Sequence, residues 1–155
     1  ADNITFNDAI SLNGNVAFNT AAGEGDVNIL NTIDAQNANT QTLTITAGAG
    51  DVTYSNTLDG ANNLNITAGT GNIVLTGALG GGTRLGTLTL VSATNVTTAS
   101  ITATSLIQSA GSGTTTFNGA LDTNAVGGID VDGQNVTFAA AVTTTNNGPV
   151  TITNA

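Results

Sequence analysis

The chain has 155 residues, a net charge of −9 at pH 7 and a single cation, Arg84. Nucleic-acid affinity comes from Lys and Arg side chains that neutralise phosphates, so this charge predicts no nucleic-acid partner and argues against anionic membrane surfaces. No apolar run approaches the ~18 residues of a transmembrane helix, and without Cys there is no disulfide framework.

From the N-terminus onward, seven copies of one short phrase follow each other. Each copy has a polar residue, an apolar residue, any residue and a second apolar residue, with another apolar residue three or four positions later; Thr occasionally replaces an apolar one. The copies are residues 3–10, 26–33, 51–58, 72–79, 95–101, 114–121 and 135–142. Their starts are 23, 25, 21, 23, 19 and 21 residues apart, with a mean of 22, which is typical of a solenoid.

A second phrase, with apolar residues two positions apart, lies between the copies of the first. It occupies residues 16–18, 43–45, 64–66, 88–90, 106–108, 129–131 and 150–152. Alternation with a period of two indicates strands, and the Gly and Asn residues between the phrases supply the positive φ that tight corners need. No segment has a helical period long enough to compete with this interpretation.

Aligning the copies predicts five columns of inward side chains, which begin at Ile4, Phe6, Ile10, Val16 and Phe18. Three short strands in each ~22-residue turn predict an all-β, right-handed parallel β-solenoid of about seven turns with a roughly triangular cross-section. The unbroken period predicts a single domain over residues 1–155. Gln108 is the one residue that fits the last column poorly.

The segments 64–79 and 86–93 resemble the β-strand repeats of filamentous-haemagglutinin-like adhesins and related secreted bacterial proteins. The resemblance extends over the whole chain, and its motif is degenerate. It implies an extracellular or cell-surface stalk, filament or adhesive surface. Surface glycans are further partners that such a role implies.

Two interpretations are open for the polar position that precedes each first strand, which is Asn or Asp in six of seven copies. The first is a ladder of side chains that hydrogen-bond along the axis. The second is a calcium-binding site. Stacking Asp26 on Asp51 and Asp34 on Asp59 would place like charges ~5 Å apart, which is unfavourable unless a cation or another group offsets the repulsion. Segments 34–39, 59–63 and 122–124 carry suitable oxygen ligands on turns, although they lack the spacing of known calcium loops.

Catalysis has little support, because the chain has no His, Cys or Lys to form the usual nucleophile and base pairs. Asp130 and Asp132 point to the same side of one strand, which leaves a carbohydrate-cleaving or carbohydrate-binding β-helix as the alternative function. The longest excursions from the repeat, Asp34 to Gln41 and Gly80 to Gly86, contain no aromatic residue. We therefore expect no enzyme and a structural module; Arg84 is expected to be an exposed loop charge.

The ends of the chain predict end-to-end stacking of copies or of adjacent repeats. Between the second phrase and the next first phrase the chain most often advances nine residues, as from Leu43 to Val52. Five steps from Val150 to the last residue and four more to Ile4 of another copy also make nine. Exposed strand edges pair readily with a neighbour, so a head-to-tail filament is expected.

Overall fold

A computed structural model describes residues 2–20, 23–35 and 41–154. These residues form nineteen strands, numbered β1 to β19 in chain order. The described residues contain no helix, and so none that is long and apolar enough to cross a membrane. All strand pairs are parallel.

The first strand of each turn lies in a seven-stranded sheet, here named the first face. In spatial order its strands are β1 (Ile4–Phe6), β4 (Val27–Ile29), β7 (Val52–Tyr54), β10 (Ile73–Leu75), β12 (Val96–Thr98), β14 (Thr114–Phe117) and β17 (Asn135–Phe138). Each copy of the first phrase pairs with the next one without a shift, so Ile4 lies beside Val27 and Thr115 beside Val136. The predicted all-β parallel solenoid of about seven turns is confirmed.

Two further faces complete each turn. The second face contains β2 (Ile10–Leu12), β5 (Ile33–Ala35), β8 (Leu58–Asp59), β15 (Leu121–Thr123) and β18 (Val142–Thr144). The third face contains β3 (Val16–Asn19), β6 (Thr42–Thr46), β9 (Asn63–Thr67), β11 (Leu85–Ser92), β16 (Ile129–Asp132) and β19 (Val150–Thr153). Strand β13 (Ile101–Gln108) belongs to both faces, because it pairs first with β15 and then with β16. Strand β11 also begins on the second face, where Leu85 pairs with Ala103 of β13, and continues along the third face.

The long strand β13 differs from the three short strands expected in every turn. Its turn is the shortest, because Thr115 follows Val96 by 19 positions. Only five steps separate Ile101 from Leu106, against six between Leu58 and Leu64. The shorter corner leaves no room for a separate turn, so the chain remains a strand across it.

The core is a column of Val, Ile and Leu side chains that follows the predicted alternation. Leu64 and Ile66 are each 1% exposed, whereas Asn65 between them faces outward. The five predicted columns are therefore confirmed, and Gln108 does point inward, with 1% exposure. Ladders of identical register let each apolar residue bury against the turns above and below it, at ~25 cal/mol per Å² of apolar surface removed from water.

A sixth inward column follows the Ile10 column, two residues later in the chain for every member except Leu85, which comes six residues after Leu79. Its members are Leu12 and Ala35, which pair with each other, and Leu85, Ala103, Thr123 and Thr144, which pair in sequence. Leu12, Leu85, Ala103 and Thr123 are at most 1% exposed. Most of its members are too small to stand out in a hydropathy pattern, so the sequence alone does not reveal this column.

The only tyrosine, Tyr54, lies in the core and is 2% exposed. Its hydroxyl donates to the carbonyl of Thr57 and accepts from the backbone N–H of Ile33 at 3.0 Å. Burial raises the pKa of this hydroxyl well above its ordinary value, and the Ile33 N–H opposes the rise only in part.

We expect alkaline pH to destabilise the protein through Tyr54. The folded-state pKa is raised, so the stability linked to the neutral hydroxyl is complete below the unfolded-state pKa of about 10 and is lost as the pH rises further. Unfolding midpoints measured from pH 8 upward test this, with tyrosinate absorbance reporting ionisation. In Tyr54→Phe the alkaline decline should be weaker; an equal decline in this variant would assign the effect to other groups.

Candidate functional site

The polar side chains before the first-face strands form the predicted ladder. The backbone N–H of Asp26 donates to Oδ1 of Asn3 at 2.9 Å, and that of Asp51 donates to Oδ1 of Asp26 at 2.9 Å. The N–H of Asn72 donates to Oδ1 of Asp51 at 2.7 Å, and the series continues through Asn95. Each side chain thus caps the backbone of the next turn, which is why a short side chain with an acceptor oxygen stands at this position.

The two carboxylates in this ladder are compensated by N–H donors. Besides the backbone bonds, Nδ2 of Asn72 donates to Asp51 at 3.0 Å and Nδ2 of Asn3 lies 3.4 Å from Oδ2 of Asp26. These N–H donors offset part of the negative charge in the ladder. Oδ1 of each carboxylate is thus already a hydrogen-bond acceptor for the neighbouring turn.

The second acidic pair, Asp34 and Asp59, is also brought together as predicted, in register on neighbouring strands β5 and β8. Oδ1 of Asp59 accepts from the backbone N–H groups of Gly82 at 2.7 Å and Thr83 at 3.1 Å. Segment 34–39 lies outside the described residues from position 36 onward. Within the described ranges, no three His, Cys, Asp or Glu side chains cluster in a way that would hold a metal.

A calcium site at Asp26, Asp51, Asp34 and Asp59 stays a prediction that a melting experiment decides. Because both ladder carboxylates and Asp59 already accept N–H bonds, we expect millimolar calcium to leave the unfolding midpoint unchanged. A ligand that binds only the folded state raises stability with concentration. A midpoint that rises with calcium, falls with a chelator and loses that response in Asp34→Asn would establish the site instead.

Arg84 is not the exposed loop charge that the sequence suggested. Its side chain is 26% exposed and forms an ion pair with Asp122, with Nη2 2.6 Å from Oδ2. Its Nη1 donates to the carbonyls of Ala103 and Asp122, both at 2.8 Å. The glycine-rich loop therefore bonds to Asp59 in an earlier turn and to Asp122 two turns later, so it braces four consecutive turns along the axis.

Gln108 and Thr115 form a polar pair inside the core. Nε2 of Gln108 donates to Oγ1 of Thr115 at 2.8 Å, and the Thr115 hydroxyl lies 3.1 Å from Oε1 of Gln108. The same Nε2 is 3.2 Å from the carbonyl oxygen of Asp132. Both residues are 1% exposed. Gln108 and Thr115, two polar residues at otherwise apolar positions, thus satisfy each other's hydrogen bonds. This pairing explains how the core accommodates Gln108.

Replacing one member of this pair should cost more than replacing both. Gln108→Ala leaves a void and a buried hydroxyl without its partner, so we expect a loss of about 2–4 kcal/mol. Gln108→Leu combined with Thr115→Val replaces both polar groups with apolar ones, and its stability should lie within about 1 kcal/mol of the wild type. Urea denaturation of Gln108→Leu, Thr115→Val and their combination measures the coupling; additive losses would contradict a shared hydrogen bond.

The surface features relevant to carbohydrate binding are few. All five aromatic side chains lie within the described residues, and each is buried or packs against the core: Phe6, Phe18, Tyr54, Phe117 and Phe138. Asp130 and Asp132 do share the outer side of β16, as predicted. A shallow notch of about 190 Å³ opens beside Leu75, Thr98 and Asn118, where the chain is one residue shorter at the corner.

The terminal turns carry the largest break in the burial pattern. On the C-terminal turn, Val142, Val150 and Ile152 are 37%, 49% and 44% exposed. Their counterparts one turn earlier, Leu121, Ile129 and Val131, are at most 1% exposed. Within the described residues, no strand pairs with the outer edges of β1, β2 and β3 at one end or of β17, β18 and β19 at the other. In the part of the chain that the structure describes, both terminal turns thus present unpaired strand edges.

Comparison with protein-family models, with curated proteins and with solved structures found no match.

Proposed function

We propose that this chain is a structural β-solenoid module of an extracellular filament, sheath or adhesin stalk and that it has no enzymatic activity. The observation that carries the proposal is the in-register parallel pairing of the first face through all its strands, which ends at open edges. A rod of this kind is rigid because each turn is bonded to both neighbours. Its surface is acidic, since Asp and Glu outnumber Lys and Arg by ten to one.

Three further observations support a structural role. The polar ladder and the Arg84 loop both bind turn to turn, so the most conspicuous polar residues act within the rod. The carboxylates Asp26, Asp51 and Asp59 accept N–H bonds from the chain itself. The resemblance to secreted bacterial repeat proteins gives the expected place, outside the cell or at its surface.

Immunogold electron microscopy of cells that produce the protein tests the location and the role together. We expect gold particles along extracellular fibres, a sheath or surface stalks, and rod-shaped particles in the purified material. Label confined to the cell interior would overturn the extracellular role. Globular particles without a long axis would overturn the rod.

The carbohydrate alternative makes a different prediction. Sugar-binding grooves usually place aromatic rings at the surface, whereas here all five aromatic residues lie in or against the core. We therefore expect no co-sedimentation with insoluble polysaccharides and no release of reducing sugars from soluble ones. Saturable binding that is lost in the Asp130→Asn, Asp132→Asn variant would instead favour the carbohydrate-binding β-helix.

A further inference from the structure

We propose that the C-terminal turn, residues 135–153, is the docking surface for the N-terminal turn, residues 3–19, of a second copy, in one defined register and only head to tail. This inference rests on the proposed structural role and specifies the partner. It places β17 beside β1, β18 beside β2 and β19 beside β3 of the next copy.

The backbone supports this register because one hydrogen bond recurs at every step between turns. The residue after each first-face strand donates its N–H to a carbonyl one turn earlier: Leu30 to Phe6, Ser55 to Ile29, Thr76 to Tyr54, Ala99 to Leu75, Asn118 to Thr98 and Ala139 to Phe117, at 2.7–3.0 Å. In the proposed junction, Asn7 of the next copy donates to Phe138. The carbonyl of Phe138 occupies the acceptor position of the next step in the series.

The side chains in this register match column by column. Val142 meets Ile10 of the next copy, Val150 meets Val16, and Ile152 meets Phe18, so each exposed large apolar residue of the last turn is covered by an inward residue. The half-buried Val136 meets Ile4 in the same way. Phe138 already stacks on Phe117, with ring centroids 5.2 Å apart and planes inclined by 10°. Phe6 of the next copy would extend that stack.

The polar ladder also continues across the junction. It is interrupted at Thr114, where the N–H of Asn135 bonds to the carbonyl of Gly113 instead. Asn135 then restores an exposed amide at the open edge. In the proposed register its Oδ1 takes the position that Asn3 holds beneath Asp26, and it accepts from the N–H of Asn3 in the next copy.

Charge and chain direction select head-to-tail contact over the two symmetric ones. Residues 134–154 contain no charged side chain, whereas Asp2 and Asp8 lie at the other end. Head-to-head contact would bring the four carboxylates of two copies together, which is repulsive. Tail-to-tail contact would run β17 antiparallel to itself and place the second face of one copy on the third face of the other, so the columns would not match.

Engineered cysteines test the register directly, because the natural chain has none. Thr5 and Thr137 both face outward on the first face and become neighbours in the proposed junction, with Cα atoms at the ~4.8 Å inter-strand spacing that a disulfide can bridge. The double variant Thr5→Cys, Thr137→Cys should give a ladder of disulfide-linked oligomers under mild oxidation. A mixture of the two single variants should give only dimers.

Controls separate this junction from other contacts. Thr97→Cys, on the same face in a middle turn, reports random collision, and Thr5→Cys with Thr151→Cys places the two thiols on different faces; neither should cross-link efficiently. Dimers of Thr137→Cys alone would show tail-to-tail contact, and dimers of Thr5→Cys alone head-to-head contact. Either result overturns the proposal.

A second variant pair measures assembly without cross-linking. Ile152→Lys introduces a charge on the inward side of the open turn, whereas Thr151→Lys adds the same charge on the outer side of the same strand. We expect Ile152→Lys to abolish sedimentation of oligomers while the particles keep their rod shape, and Thr151→Lys to assemble normally. If wild-type particles are rod-shaped but stay monomeric at high concentration, the junction is wrong and the structural role stands. If wild-type particles are not rod-shaped, the structural role itself is wrong.

Discussion

Leu64→Asp is expected to unfold the middle of the rod, whereas Asn65→Asp, one residue further along the same strand, is expected to change stability little. Leu64 is 1% exposed and lies in β9, between β6 and β11. Removing a buried Leu side chain costs about 2–5 kcal/mol, and the carboxylate adds the penalty of an unpaired buried charge. The total of more than about 5 kcal/mol is comparable to the stability of a whole domain.

The matched variant Asn65→Asp keeps the size of the side chain and faces outward. It adds one negative charge to the surface, where the expected change is within about 0.5 kcal/mol. Circular dichroism during urea titration compares the two variants with the wild type. Similar losses in both would mean that the inward and outward sides of β9 are assigned incorrectly.

In a solenoid the effect of Leu64→Asp also depends on the neighbouring turns. Stability in such folds is approximately the sum of the stabilities of the repeats and of the interfaces between them. A defect in the third turn weakens its interfaces with the second and fourth. We therefore expect limited proteolysis to cut this variant near β9 first and to leave the turns from Asn95 onward protected for longer.

The sequence was sufficient for the strands, their parallel stacking and five of the inward columns. The reason is that a solenoid repeats one local pattern, so each residue's neighbours lie one period away in the chain. The same period places Asp26 over Asp51 and Asp34 over Asp59. The alternation also predicts that Gln108 is an inward polar residue, although it does not reveal that Thr115 is its hydrogen-bond partner.

Where the chain departs from its period, the sequence was less informative. Arg84 reaches Asp122, which is 38 residues away, and that contact depends on the path of the loop from Gly80 to Arg84. The period places the carboxylates of Asp26 and Asp51 over each other, but it does not show that their oxygen atoms accept hydrogen bonds from backbone N–H groups. Which oxygen atoms accept those bonds depends on side-chain torsions, which the repeat pattern does not specify.

Close approaches between turns are a second class of feature that a pattern of residue types does not reveal. Gly77 lies at the corner after β10, directly against the backbone of Asn56 in the preceding turn. A Cβ atom added to Gly77 would overlap the carbonyl group of Asn56 and lie 2.8 Å from its Cα. Gly77 is therefore required for space, since it is not among the residues with positive φ.

Gly77→Ala is accordingly the second substitution for which we expect a large effect. The obstructing atoms are backbone, so two turns must separate at this corner, and overpacking of this kind typically costs about 1–3 kcal/mol or more. Gly81→Ala is the matched control, because its added Cβ would meet only Ala78 at 3.8 Å and Gly81 also lacks a positive φ. It should be neutral or stabilising by up to about 1 kcal/mol, since alanine restricts the unfolded chain. Thermal unfolding of the two variants tests this difference; equal midpoints would show that the corner yields without cost and that the stacking distance between turns is not set by glycine.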